Sequence, residues 1–152
     1  MKRIICALLA VCLALAIVAC GNGKQQDVDV AALASTLCKE VKFESELTEL
    51  AEGQLGNYLT VPAGTQSLTY MSNGTTAEEI IAAKCASESD ARALKESIEQ
   101  FLGEQRTEMG RYLPEEVARL EQAILTQKGI YVVLCVTADT STAENIIKEH
   151  LG

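Results

Sequence analysis

Ile130–Val136 (IYVVLCV) decides the fold. Seven consecutive apolar residues rich in β-branched side chains, closed off by Gly129 before and Thr137 after, read as a strand buried on both faces and central to its sheet. Working backwards, Gly129 reads as the stop of a helix that starts at Pro114, with Glu115 and Glu116 in its first turn and Val117, Leu120, Ile124 and Leu125 as its inner stripe. Gly110-Arg111-Tyr112-Leu113 separates it from a longer helix capped within Ser87–Asp90, whose apolar face is Ala91, Leu94, Ile98, Phe101, Leu102 and Met109. Before that come two strands, Ser67–Ser72 (SLTYMS) and Glu78–Ala86 (EEIIAAKCA), with the hairpin dipeptide Asn73-Gly74 between them.

A first helix carries Val30, Leu33, Ala34, Leu37, Cys38 and Val41 behind Asp27 and Asp29, and a short helix is expected near residues 50–57. After the central strand, Ser141 with Glu144 forms a capping-box pattern for a last helix bearing Ala143, Ile146, Ile147 and Leu151. The expected class is α+β: a small antiparallel or mixed sheet, a hairpin plus a central strand, with helices packed mainly on one face.

The N-terminus carries a different signal. Lys2 and Arg3 precede an uncharged apolar run, Ile4–Val18, of about 15 residues, the length of a signal-peptide hydrophobic region. As a helix it would rise about 22 Å, short of the roughly 30 Å hydrocarbon core of a bilayer. It ends in Ile17-Val18-Ala19-Cys20, the pattern of a lipobox: small residues where the chain must lie extended in a peptidase, then a cysteine whose thiol takes diacylglycerol. The expectation is therefore a signal peptide over residues 1–19, cleaved between Ala19 and Cys20. Residues 20–27 then form a lipidated (palmitate-type) flexible tether, and residues 28–152 a single domain. Two acyl chains suffice for stable anchoring, at the outer face of the cytoplasmic membrane.

A mature chain of about 130 residues suits one core. The formal net charge is −8 and becomes more negative once Lys2 and Arg3 are removed, which argues against nucleic acid as a partner. Cys6 and Cys12 leave with the signal, so Cys38, Cys85 and Cys135 remain as thiols. Core thiols explain them, and Cys85 with Cys135 is the pair chosen if a disulfide forms, both lying on expected strands. No Cys/His spacing suits a metal and no glycine-rich loop suits a phosphate, so neither metal nor cofactor is expected.

Following the lipobox, Tyr70-Met71-Ser72-Asn73-Gly74 with Ala77-Glu78-Glu79-Ile80, then Tyr112-Leu113-Pro114-Glu115-Glu116, then Gly129-Ile130-Tyr131-Val132 occur in one order. Together they resemble the family DUF4358, small lipoproteins of Firmicutes and especially clostridia, over roughly Val28 to Leu151. The resemblance implies an extracytoplasmic domain of a Gram-positive cell and brings no established activity. The resemblance also implies genes often found near membrane-bound O-acyltransferases that modify surface polymers, and with them an accessory role in envelope decoration.

The residues themselves offer little chemistry. The lone His150 sits at the fraying C-terminus, so a Ser or Cys nucleophile lacks the usual base. Glu78 and Glu79 are the acids worth following, because they open a strand beside an apolar stretch. Alternation sends them to opposite faces, so at most one points into a pocket, as a base or as the receiver of a basic ligand; otherwise both belong to a solvated strand edge. Tyr112 is a further candidate contact for a ligand or partner, or else an anchor for the turn before Pro114. The expected function is a non-catalytic accessory or interaction module that contacts membrane lipid through Cys20 and an envelope protein or surface polymer through its domain. The alternatives are a small wall- or polymer-modifying enzyme using two convergent carboxylates and a solute-binding lipoprotein, the latter disfavoured by length.

Overall fold

The computed structural model describes residues 27–152. In chain order they form α1 (Val30–Glu40), β1 (Leu47–Glu49), a 3-10 turn (Gln54–Asn57), β2 (Gln66–Ser72), β3 (Glu79–Lys84), α2 (Glu88–Met109), α3 (Pro114–Glu121), β4 (Ile124–Lys128), β5 (Tyr131–Val136) and α4 (Thr140–Leu151). The signal peptide, Cys20 and most of the tether expected from the sequence lie outside the described residues. Among the described residues no helix is long and apolar enough to cross a membrane.

The five strands make one sheet in the order β1-β2-β3-β5-β4, every neighbour antiparallel, which gives the α+β class expected. Every residue of β5 is buried, and the strand is paired on both sides. Because side chains alternate across a strand, a strand apolar at every position needs cover on both faces. Ile80, Ala82, Val133 and Cys135 pack with Leu33, Leu37, Ala143 and Ile147, so α1 and α4 cover one face. Ile81, Ala83, Val132 and Leu134 pack with Leu94, Ile98, Leu102 and Leu120, so α2 and α3 cover the other. The helices thus lie on both faces rather than mainly on one. The first and last helices, remote in sequence, meet over a single face. Full burial of a Leu or Ile stabilises by about 1.5–3 kcal/mol, so each layer is held by several such side chains.

Local chemistry explains most element ends. Asp29 caps α1, its carboxylate accepting from the amides of Ala31 and Ala32 at 3.0 Å each. Ser87 caps α2 by accepting from the Asp90 amide at 3.1 Å, and Pro114 opens α3.

Four local expectations give way. Ile124 and Leu125 belong to β4, because α3 ends at Glu121. Gly129 then turns a hairpin: Lys128 faces Tyr131 across the sheet, leaving Gly129 (φ 55) and Ile130 as the two-residue connection. The Ser141–Glu144 capping box is replaced by Asp139 at the cap position, with Thr142 Oγ1 donating to its carboxylate at 2.9 Å. The β2–β3 connection is a loop over residues 73–78 rather than a two-residue turn. Gly74 sits at φ 93, and the Asn73 side chain accepts from the Thr75 amide and hydroxyl.

Candidate functional site: an acid-bearing cleft at one end of the sheet

Glu79 is the first residue of β3, and alternation with Ile81 and Ala83 turns it toward α2. It lies opposite Met71 on β2 and Val136 on β5. The last turns of α2 bring Gln105 and Met109 over this strand end, and Tyr58 follows the 3-10 turn to the same place. Together with the 73–78 loop they border a cleft of about 390 Å³.

Glu79 is only 1% exposed, and neither carboxyl oxygen has a hydrogen-bond partner among the described residues. The Gln105 side-chain oxygen is likewise buried without one. Burial pushes the Glu79 carboxyl up to about 8, and the side chain of Gln105, near enough to act on it as a donor but outside hydrogen-bond geometry, pulls the other way. Taking a carboxylate out of water without a compensating charge favours the neutral acid, so at neutral pH this group is mostly protonated.

Glu78 is equally buried but has the opposite surroundings. Its carboxylate accepts from the Glu44 amide (2.9 and 3.0 Å), the Ser45 amide (2.8 Å) and Thr76 Oγ1 (3.1 Å). Arg119 Nη1 of α3 lies 3.3 Å from Glu78 and 3.1 Å from Glu116. Arg119 Nη2 reaches Glu44 at 2.6 Å, and Glu116 in turn accepts from the Ala77 amide at 2.8 Å. This network ties the segment after α1, the 73–78 loop and α3 together beside the cleft. Glu78 borders the cleft, yet its oxygens are already engaged; Glu79 alone offers free ones. Neither acid belongs to a solvated strand edge.

The remaining sequence candidates lie elsewhere. Tyr112, in the turn between α2 and α3, is 57% exposed and does not line the cleft. The turn is held by backbone bonds instead, the Leu113 amide donating to the Met109 carbonyl at 2.7 Å.

Cys38, Cys85 and Cys135 are free thiols, and the Cys85–Cys135 pairing is ruled out by position. Cys85 packs in the α2 side of the core and Cys135 in the α1 side. Cys135 faces Ile80, five residues along the strand from Cys85, roughly 16 Å at ~3.3 Å per residue, far beyond disulfide reach. Burial pushes the Cys135 thiol up to about 12, with Glu78 and Glu79 adding to the effect. Among the described residues no group of His, Cys, Asp and Glu is arranged to hold a metal.

Gln105 went unread in the sequence although a signal was there. It continues the Ile98–Leu102–Met109 stripe, so a polar residue stands at a core position of α2. Arg119 had no such signal; a basic residue in the last turn of a helix is ordinary there.

At the other end of β3, Lys84 pairs with Asp27 at 2.6 Å, and the buried Tyr131 hydroxyl donates to Asp27 while accepting from the Val28 amide, each at 3.1 Å. The first described residues are therefore pinned at the end of the sheet opposite Glu79.

The class is thus an α+β domain of three layers, with an open five-stranded antiparallel sheet and one unpaired acid in a cleft at the sheet's end. Residues 64–137 match the model of the Domain of unknown function (DUF4358). The match runs from β2 through β5 and includes Glu78, Glu79, Gln105 and Arg119; it is narrower than the Val28–Leu151 span of the resemblance and leaves out Tyr58, α1 and α4. No curated protein and no solved structure matches the chain.

Proposed function

We propose that this chain is a lipid-anchored, extracytoplasmic binding module, an accessory component of the cell envelope that recognises its partner through the Glu79 cleft. One observation carries the reading: a buried carboxyl whose oxygens accept no hydrogen bond lines a cleft of about 390 Å³. Burying a polar group without a hydrogen bond costs free energy, and a fold tolerates it where the group serves a ligand.

The geometry of attachment supports the same reading. Asp27 is held by Lys84 and Tyr131 at the end of β3 opposite Glu79, so a tether acylated at Cys20 would join the domain at the end remote from the cleft. The carboxylate hydrolase fits less well. It needs a second acid facing the same space, and the Glu78 oxygens are taken by Glu44, Ser45, Thr76 and Arg119.

The test is affinity capture of the full chain from membranes of its native host, alongside Cys20→Ala and the rim variant Tyr58→Ala (Tyr58 is 49% exposed, so the change leaves the core intact). The wild-type chain is expected to retain an envelope protein or surface polymer. Cys20→Ala is expected to leave the membrane fraction, and Tyr58→Ala to stay anchored but lose the partner. Identical recovery with all three chains would contradict the proposal.

A further inference from the structure

Resting on that reading of the cleft, we infer that its ligand presents a primary ammonium group, received by Glu79 and Gln105. The unpartnered buried atoms here are of one kind: Glu79 Oε1, Glu79 Oε2 and Gln105 Oε1 are all acceptors, once the acid is ionised. A hydroxyl brings one donor to such a set, whereas an ammonium brings three and the charge that a buried carboxylate lacks. The walls suit the rest of an alkylammonium. Met71 and Met109 offer polarisable apolar surface, and the Tyr58 ring, held edge-on against Phe101 with centroids 6.5 Å apart, offers a face for a cation. The net charge of −8 draws cations toward the domain.

Binding is then linked to protons. The groups facing Glu79 are Met71 from β2, Gln105 and Met109 from α2, Tyr58 from its loop and the adjacent Glu78, whose charge is met by Arg119. Cys135 on β5 also senses Glu79 but stays a neutral thiol. Glu79 is therefore the group that must lose a proton for an ammonium to bind, and binding strengthens as pH rises through about 8.

The experiment uses the full chain in detergent micelles with 13C-methyl methionine, reading Met71 and Met109 during titration with n-butylammonium chloride and, separately, n-butanol. The amine, like lysine with its pKa near ~10.4, is charged at both pH 6 and pH 9. The expected result is saturating shifts of both methyls with butylammonium, at least tenfold tighter at pH 9 than at pH 6, and no saturation with butanol. Glu79→Gln is expected to abolish the response while keeping a dispersed spectrum, and Gln105→Leu to weaken it several-fold if the first variant folds poorly. Equal binding of butanol, or affinity indifferent to pH and to both substitutions, would overturn the inference. So would no response to butylammonium in a chain that still captures its envelope partner; that result would leave the binding module standing and remove only the ammonium.

Discussion

Glu79 sits in the folded chain with a carboxyl near pH 8, against an ordinary value of 4.5. Between these two values the folded state holds a proton that the unfolded state has released, so stability is full below about 4.5, falls as pH rises, and levels off above about 8. The slope for one such group is about 1.4 kcal/mol per pH unit. Glu79→Gln is expected to remove this slope: urea unfolding should give near-equal stability for both chains at pH 4.5 and a more stable variant, by a few kcal/mol, at pH 9. A variant less stable than wild type at pH 9 would mean that the ionised carboxylate has a partner in the fold. At this scale the sequence was partly legible. The pair Glu78-Glu79 announces itself at the head of an apolar strand, and alternation separates the two side chains. Little that is local distinguishes which acid is matched, because apart from Thr76 the matching groups (the Glu44 and Ser45 amides and Arg119) lie more than thirty residues away in the chain.

Among the elements, α3 matters beyond its eight residues, because Glu116 and Arg119 fasten it to the loop that roofs the cleft. Arg119 has a side chain only 9% exposed and stands between two buried acids. Arg119→Met is expected to leave Glu78 and Glu116 uncompensated and to cost about 3–5 kcal/mol in chemical denaturation near neutral pH. A loss under 1 kcal/mol would mean that the network is dispensable. The same region explains where element reading failed. Val117, Leu120 and Ile124 recur at helical spacing, so α3 and β4 look like one helix, and Gly129 looks like its stop. The Lys128–Tyr131 pairing reassigns that glycine to a hairpin, where its positive φ is needed. By contrast β5, α2 and the Asp29 and Ser87 caps were legible because each rests on short-range chemistry.

For the whole molecule, the doubly apolar β5 demands two helical layers, and closure of the second layer creates the cleft. Helix α2 runs 22 residues and its last turns, carrying Gln105 and Met109, cross the end of β3 just where Glu79 begins the strand. The molecule therefore has two unlike ends, Asp27 bound by Lys84 and Tyr131 at one and an unmatched acid at the other. That polarity could not be read from composition, since it depends on which strand ends meet which helix ends. The chemistry of the cleft depends on the unmatched acid. Its most direct test is a carboxyl 13C titration of Glu79 in the full chain in micelles, assigned by comparison with Glu79→Gln. A midpoint near 8 is the predicted result; a midpoint near 4.5, that of an ordinary solvated glutamate, would contradict it.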